Sequence, residues 1–204
     1  MPAPVVELHF DFGSPNAYLC HKAIPEVVAR TGVPFKYVPV LLGGVFKLTG
    51  NQSPMSAFKG IKNKNEYNML EMKRFITQHK IPFKMNPHFP VNTVQIMRGA
   101  VAADLDGKLA PYVDAVYDAM WANPKKMDDA EVIRTTLDAS GLDGARYIAR
   151  GQDQDVKDIL LKNTEASVAR GTFGSPTFFV DGDIYFGKDR LRDVEDEIIA
   201  RSKN

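Results

Sequence analysis

The pattern of hydrophobic and polar positions at the start of the chain predicts a strand, a helix and a second strand, in this order. Val5 to Phe12 and Val33 to Leu41 carry the two-residue period of β-strands. A helix is predicted between them from Ser14 to a stop at Gly32, and Pro25 is expected to kink or break it. This segment therefore predicts two parallel strands joined by a right-handed helical crossover.

A helical period replaces the strand pattern in the middle of the chain. Gly43-Gly44 and the polar run from Thr49 to Pro54 mark the change. Beyond them, apolar residues recur every three or four positions and predict four or more amphipathic helices. The repeating positions are Met69, Met72, Ile76 and His79; Val94, Met97, Val101 and Leu105; Leu109, Val113, Val116 and Met120; and Val132, Ile133, Thr136 and Leu137.

Strand signals return near the C-terminus. A helix over Asp153 to Arg170 precedes two predicted strands, Thr177 to Val180 and Ile184 to Phe186, which Asp181-Gly182 joins as a hairpin turn. A final helix is predicted from Lys188 onward.

The order of these elements predicts an α/β protein with a thioredoxin-like fold that an all-α insertion interrupts. The predicted thioredoxin-like part comprises residues 1–48 and 166–204, and the helical insertion comprises residues 49–165.

Composition and charge exclude several classes of protein. With 204 residues, 44% of them hydrophobic, the chain can bury a full core. The formal charge is +1 and the basic residues are spread along the chain, so no nucleic-acid or anionic membrane partner is predicted. The N-terminal sequence has no signal-peptide pattern and no stretch could span a bilayer, which favours a cytoplasmic protein.

Cysteine and histidine are too sparse for a disulfide or a metal site. The single Cys20 excludes an internal disulfide, agrees with a reducing compartment, and is predicted to be a small buried hydrophobic residue. The four histidines, at positions 9, 21, 79 and 88, show no metal-ligand spacing, so no metal is predicted.

The turn Asp11-Phe12-Gly13-Ser14-Pro15 is the candidate active site. Ser14 suits a helix N-cap and Pro15 the first helical position, which leaves free amides and the positive end of the helix dipole to favour an anion such as a thiolate. Thioredoxin-like oxidoreductases place a Cys-X-X-Cys pair here, where this chain has Ser14 and Ala17. A thiolate would therefore have to come from a ligand, unless Ser14 is only a cap.

The segment Phe173 to Val180 carries the first resemblance to a known group. With its Gly174-Ser175-Pro176 sequence, the chain resembles the thioredoxin-fold proteins that include disulfide-bond oxidoreductases and class kappa glutathione transferases. The resemblance implies a cis peptide bond before Pro176, with Ser175 facing the helix start; an ordinary trans proline is the alternative.

Four separated stretches are more specifically similar to the 2-hydroxychromene-2-carboxylate isomerases, a glutathione-dependent family akin to class kappa. They are Asp11 to Pro15, Leu41 to Asn51, His88 to Thr93, and Phe173 to Arg190. The resemblance implies that Ser14 activates the glutathione thiol. The residues that it assigns to glutathione binding are Asn51, Lys64, Glu71, Ser175, Pro176, Lys188 and Asp189, with Lys62 a rival to Lys64.

The same resemblance implies the reaction. Glutathione would be a recycled cofactor in the interconversion of 2-hydroxychromene-2-carboxylate, or a related aromatic compound, and its open-chain benzylidenepyruvate. Phe89 and Trp121 are candidate walls of the substrate pocket, although aromatic residues in a helical block are more often core. A homodimer is expected. The alternatives are a kappa-like transferase or peroxidase and a non-catalytic glutathione-binding module.

Overall fold

A four-stranded mixed sheet joins the two ends of the chain in the computed structural model, which describes residues 3–203. The strands are β1 (Val6–Phe10), β2 (Phe35–Pro39), β3 (Thr177–Val180) and β4 (Asp183–Phe186), in the spatial order β2-β1-β3-β4. β1 is parallel to β2 and antiparallel to β3, with Leu8 opposite both Tyr37 and Phe178. β1 is therefore central and buried. The segment that follows its C-terminal end, between β1 and α1, forms the candidate site.

Ten α-helices surround and extend this sheet in residues 3–203. They are α1 (Pro15–Thr31), α2 (Leu42–Thr49), α3 (Pro54–Ala57), α4 (Lys64–Gln78), α5 (Val94–Leu105), α6 (Leu109–Tyr117), α7 (Ala130–Ala139), α8 (Gly144–Arg150), α9 (Gln154–Ala169) and α10 (Leu191–Ser202). A π-helical turn, Asp118–Ala122, follows α6, and a 3₁₀ turn, Lys188–Arg190, precedes α10. The four predicted helical periods fall in α4, in α5, in α6 with the π-helical turn, and in α7, whereas α3 and α8 were not predicted.

Helix α1 begins and ends as the sequence predicts, but Pro25 does not break it. Ser14 is its N-cap, and Gly32 takes the left-handed conformation at its C-terminus with φ of 72°. The helix is continuous through Pro25 although proline removes one helical hydrogen bond. Its buried face, which includes Leu19 and Ile24, packs into the core, and this burial outweighs the local penalty.

Helix α2 is an element that the sequence pattern does not predict. Gly43 and Gly44 are poor helix formers and indicate a boundary, yet both lie inside the helix. Gly44 has a packing role, because a Cβ atom there would lie 3.1 Å from the Cγ2 atom of Thr164 in α9. Close contact between α2 and α9 therefore explains one of the two glycines.

One hydrophobic core runs from the sheet into the helical block. Its members include Phe10 and Phe12 from the first strand and the turn, and Tyr117 and Trp121 from the block, and all four are completely buried. The predicted boundaries fall in the last turn of α2 and inside α9. The division of the chain at these points remains a prediction.

Candidate active site at the start of helix α1

Ser14 lies in a tight turn that ends β1 and begins α1. The Ser14 N–H donates to the Asp11 carbonyl oxygen at 3.1 Å, which closes the turn. The Ser14 hydroxyl oxygen accepts a hydrogen bond from Ala17 N–H at 3.2 Å, as an N-cap should. Ser14 retains 5% of its exposed surface. Its hydroxyl thus lies at the positive end of the helix dipole, in an environment that favours negative charge.

The Ser175–Pro176 loop faces this turn. The peptide bond between the two residues is cis, as the resemblance implied. The Ser14 hydroxyl donates to the Ser175 carbonyl oxygen at 2.8 Å. The structure therefore brings together two elements that are 161 positions apart in the sequence.

Asp11 is a site residue to which the sequence assigned no role. Its side chain is completely buried, and it accepts hydrogen bonds from Gly13 N–H (2.7 Å), Leu42 N–H (2.7 Å) and the Thr93 hydroxyl (3.1 Å). Burial raises the pKa of this carboxyl, and the three hydrogen bonds oppose that effect. An aspartate that directly follows an apolar strand and lies two residues before a glycine was the signal that could have identified it.

Trp121 supports the turn from behind. It is completely buried, and its indole N–H donates to the Phe12 carbonyl oxygen at 2.8 Å. Its ring is stacked 6.0 Å from Phe83 and lies 5.7 Å from the half-buried Phe89. Of the two predicted pocket residues, Trp121 is thus a core residue that offers no surface to a substrate in this structure, and only Phe89 offers a partly exposed face.

Asn51 contacts the proline loop. It follows α2, and its side-chain N–H donates to the Phe173 carbonyl oxygen at 2.7 Å. Asn51 is exposed, whereas Pro176 is buried. Asn51 and Ser14 therefore donate to carbonyl groups of the same loop, those of Phe173 and Ser175, which are two residues apart.

Lys188 and Asp189 form an ion pair in the turn before α10. Lys188 is buried, and its ammonium group lies 5.3 Å from the centre of the Phe75 ring, whereas Asp189 is exposed. Both line a cleft of about 550 Å³ with Phe75, His79 and other residues. The pair places a cation and a carboxylate side by side, which suits a zwitterionic ligand group.

Lys64 and Glu71 lie on α4, the helix whose Phe75 lines the same cleft as Lys188. Lys64 is exposed, 5.1 Å from the centre of the Phe58 ring, and Glu71 pairs with Arg74. Within residues 3–203, neither forms a hydrogen bond or ion pair with another of the predicted glutathione-binding residues. Lys62, the rival of Lys64, is exposed as well.

Comparison with known families decides the classification. A family model for the DSBA-like thioredoxin domain matches residues 5–199. The chain belongs to this family.

The relatives that are similar to this chain in sequence include isomerases and transferases. The chain is 24% identical over 194 residues to a 2-hydroxychromene-2-carboxylate isomerase from Sphingobium xenophagum, covering 95% of this chain and 97% of that protein. It is 26% identical to the glutathione S-transferase kappa 1 of Rattus norvegicus, covering 93% and 89%. A solved 2-hydroxychromene-2-carboxylate isomerase superposes with a TM-score of 0.84 at 23% identity, covering 98% and 96%. These comparisons confirm the predicted thioredoxin-like α/β fold and the predicted resemblance.

This DSBA-like domain offers no accessible thiol at its helix start. Ser14 and Ala17 occupy the two positions at which thioredoxin-like oxidoreductases carry the cysteines of Cys-X-X-Cys. Cys20 is completely buried. Burial raises the pKa of the Cys20 thiol well above its ordinary value, which disfavours the reactive thiolate, and the burial itself was predicted. No group of potential metal ligands is present among the described residues, and none of their helices is long and apolar enough to cross a membrane.

Proposed function

We propose that this DSBA-like protein is a glutathione-dependent isomerase that interconverts 2-hydroxychromene-2-carboxylate, or a related aromatic compound, and its open-chain benzylidenepyruvate. The observation that carries the proposal is the hydrogen bond from the Ser14 hydroxyl to the Ser175 carbonyl at a helix N-terminus without redox cysteines. Similarity to the isomerases over nearly the whole chain supports the choice of reaction.

The predicted site residues offer groups that match glutathione, which has two carboxylates, one ammonium group and one thiol. The Ser14 hydroxyl and the α1 N-terminus suit the sulfur atom. The Lys188–Asp189 pair suits the ammonium and carboxylate of the γ-glutamyl end, and the Asn51 amide suits the peptide part. Lys64 or Lys62, both exposed, would have to turn toward the ligand to meet the remaining carboxylate.

Bound glutathione would supply a thiolate that adds reversibly to the unsaturated substrate. A free thiol has a pKa of about 8.5, so a hydroxyl donor and a helix dipole increase the fraction that is ionised at neutral pH. Ser14 has one hydroxyl proton, which it donates to the Ser175 carbonyl in this structure. Donation to sulfur would release that carbonyl, which could then accept an N–H group of the peptide.

A kappa-like glutathione transferase is the second candidate, because the chain is also similar to class kappa proteins. The two candidates differ in the fate of glutathione. An isomerase returns it after each turnover, whereas a transferase consumes it in a stable conjugate. A non-catalytic binding module would bind glutathione without lowering the pKa of its thiol.

The test is a titration with glutathione followed by ultraviolet absorption of the thiolate, and then an equilibrium assay with 2-hydroxychromene-2-carboxylate. We expect a thiolate signal at neutral pH, a spectral change that requires glutathione, and full recovery of free thiol. Accumulating conjugate with loss of thiol would replace the isomerase by the transferase. Tight binding of glutathione without a thiolate signal or turnover would favour the non-catalytic binding module.

We further propose a cytoplasmic homodimer. The unpaired, buried Cys20 agrees with a reducing compartment. Light scattering of the purified protein tests the dimer, and a monomeric mass would contradict it.

A further inference from the structure

The carboxyl group of Asp11 is the most constrained polar group near Ser14, and the proposed reaction does not use it. Its three side-chain hydrogen bonds come from three separate segments: Gly13 in the turn, Leu42 at the start of α2, and Thr93 just before α5. The side chain has no contact with solvent. Burying a carboxyl is unfavourable unless such partners compensate, so this arrangement needs a reason.

The backbone of Asp11 contacts both halves of the candidate site. Its carbonyl accepts from Ser14 N–H at 3.1 Å, and its N–H donates to the Ser175 hydroxyl oxygen at 3.3 Å. The packing around the carboxyl leaves little free space, because a Cβ atom on Gly13 would lie 3.2 Å from Oδ1 of Asp11. A shift of the Asp11 side chain would therefore move the residues on both sides of the Ser14–Ser175 hydrogen bond.

The carboxyl also completes the N-terminus of α2. Leu41, the N-cap of that helix, has no capping side chain, and Asp11 Oδ2 accepts the N–H of Leu42 instead. Helix α2 leads to Asn51, which holds the Phe173 carbonyl. The same side chain thus connects the thiol end of the site to the segment that ends at Asn51.

We propose that Asp11 is a positioning residue that holds the Ser14 hydroxyl and the Ser175 carbonyl in register by accepting hydrogen bonds from three segments at once. The proposal rests on the proposed function, since the hydroxyl that it positions is the one that stabilises the glutathione thiolate. Its action is indirect, because the hydrogen-bond partners of the Asp11 side chain are Gly13, Leu42 and Thr93 and do not include the Ser14 hydroxyl.

A carboxylate is needed because both of its oxygens face donors. Oδ1 faces Gly13 N–H and Oδ2 faces Leu42 N–H, both at 2.7 Å. Asparagine has the same shape but only one oxygen, so its NH₂ group would oppose a backbone N–H in either orientation. Asp11→Asn therefore removes one hydrogen bond and introduces a repulsion without changing side-chain volume.

The effect on the bound thiol separates positioning from charge. If Asp11 acts by position, Asp11→Asn displaces the Ser14 hydroxyl and raises the pKa of bound glutathione. If its negative charge alone mattered, removing that charge would stabilise the thiolate and lower that pKa. The sign of the shift therefore decides between the two roles.

The experiment compares wild type with Asp11→Asn and Thr93→Val, which keeps the carboxylate but removes one donor. In Asp11→Asn we expect the pKa of bound glutathione to rise by about one unit, which is a tenfold change in the ionisation equilibrium. We expect kcat to fall about tenfold and KM for glutathione to change less. Thr93→Val should also raise the pKa of bound glutathione and lower kcat, but by smaller amounts. If Asp11→Asn does not fold, Thr93→Val alone decides whether Asp11 is a positioning residue.

The control is Asp129→Asn, which alters another aspartate that accepts N–H groups at a helix start, at α7 and outside the site. It should leave the pKa and kcat unchanged. An unchanged or lowered pKa in Asp11→Asn, with only a lower melting temperature, would overturn the positioning role.

A crystal structure of each variant without glutathione gives a readout that is independent of the reaction. We expect the 2.8 Å hydrogen bond between Ser14 and Ser175 to be lost in Asp11→Asn and kept in Asp129→Asn. If wild type forms no thiolate with glutathione, the proposed function fails, and this distance still decides the role of Asp11. An intact bond in Asp11→Asn would overturn it.

Discussion

The two ends of the candidate glutathione site differ in how completely they are built. At the thiol end, Ser14, Ser175 and Asp11 are joined by hydrogen bonds of 2.8 to 3.3 Å, and Asp11 is completely buried. At the peptide end, Lys64 is exposed and Glu71 is paired with Arg74 instead of a site residue. The hydroxyl that is proposed to act on sulfur is therefore held by the protein without a ligand, whereas Lys64 and Glu71 form no hydrogen bond or ion pair with the other predicted residues within residues 3–203.

This difference teaches how the two tasks are divided. Stabilising a developing charge depends on donors that are already close to their working positions, and in the proposed mechanism the Ser14 hydroxyl only turns from the Ser175 carbonyl to the sulfur, so small displacements at the thiol end are costly. Holding a peptide by its charged ends tolerates exposed lysines that are not yet in place, because each such contact would contribute the same in the ground and transition states. Substitutions at the thiol end should change kcat, and those at the peptide end should change KM.

The largest effect is expected from Ser14→Ala. The lost hydrogen bond to a charged sulfur is worth about 1.5–3 kcal/mol, which raises the pKa of bound glutathione by roughly one to two units and lowers kcat. Affinity for glutathione should be largely kept. Ultraviolet titration of the thiol measures the shift.

Ser53→Ala is the matched control for that substitution. Ser53 also precedes a proline and caps a helix, α3, by accepting from Ser56 N–H at 3.3 Å. Its loss should cost only the cap, about 1 kcal/mol, and leave the thiol pKa unchanged. An unchanged pKa in Ser14→Ala would remove Ser14 from the proposed catalytic role.

Trp121→Phe tests whether the helical block supports the thiol end from behind. The phenyl ring cannot donate to the Phe12 carbonyl, so a buried acceptor is left unsatisfied and stability falls by about 1–3 kcal/mol. We expect a lower midpoint in urea unfolding and an unchanged KM for the aromatic substrate. A raised KM with unchanged stability would restore Trp121 to the substrate pocket.

Asn51→Ala tests the peptide end where it touches the proline loop. The variant loses the hydrogen bond to the Phe173 carbonyl and also the proposed amide contact with glutathione, and the latter, at about 1 kcal/mol, should raise KM for glutathione about fivefold and leave kcat nearly unchanged. Steady-state kinetics at saturating substrate measure both constants. A fall in kcat alone would mean that the two ends are not separate.

The smallest effect separates Lys64 from Lys62 at the open end. Exposed ion pairs contribute about 0.2–1 kcal/mol, so the lysine that contacts glutathione should raise its KM by no more than about fivefold when changed to alanine. We expect the effect in Lys64→Ala. Its appearance in Lys62→Ala alone would show that the alignment across this lysine-rich segment is wrong.

The parts of the fold that follow from local patterns could be predicted from the sequence, and those that depend on distant contacts could not. Ser14, Pro15 and Gly32 determine the ends of α1 through their own backbone preferences, and they were predicted. Helix α2 was not, because Gly43 and Gly44 disfavour a helix locally.

The candidate site divides in the same way. Ser14 and the Ser175–Pro176 loop were recognisable from local motifs, whereas the role of Asp11 depends on Leu42 and Thr93, which only the folded chain brings to it. The burial of Trp121 also depends on tertiary packing. Composition and periodicity do not reveal the role of Asp11, and for Trp121 they left both a core position and a pocket wall open.

The central position of β1 has a consequence for synthesis of the chain. One edge of β1 pairs with β2 soon after both have been made, but its other edge pairs with β3, near the C-terminus. A nascent or truncated chain that ends before Thr177 therefore exposes an apolar strand edge, which promotes aggregation. We expect C-terminal truncations to be insoluble as well as inactive.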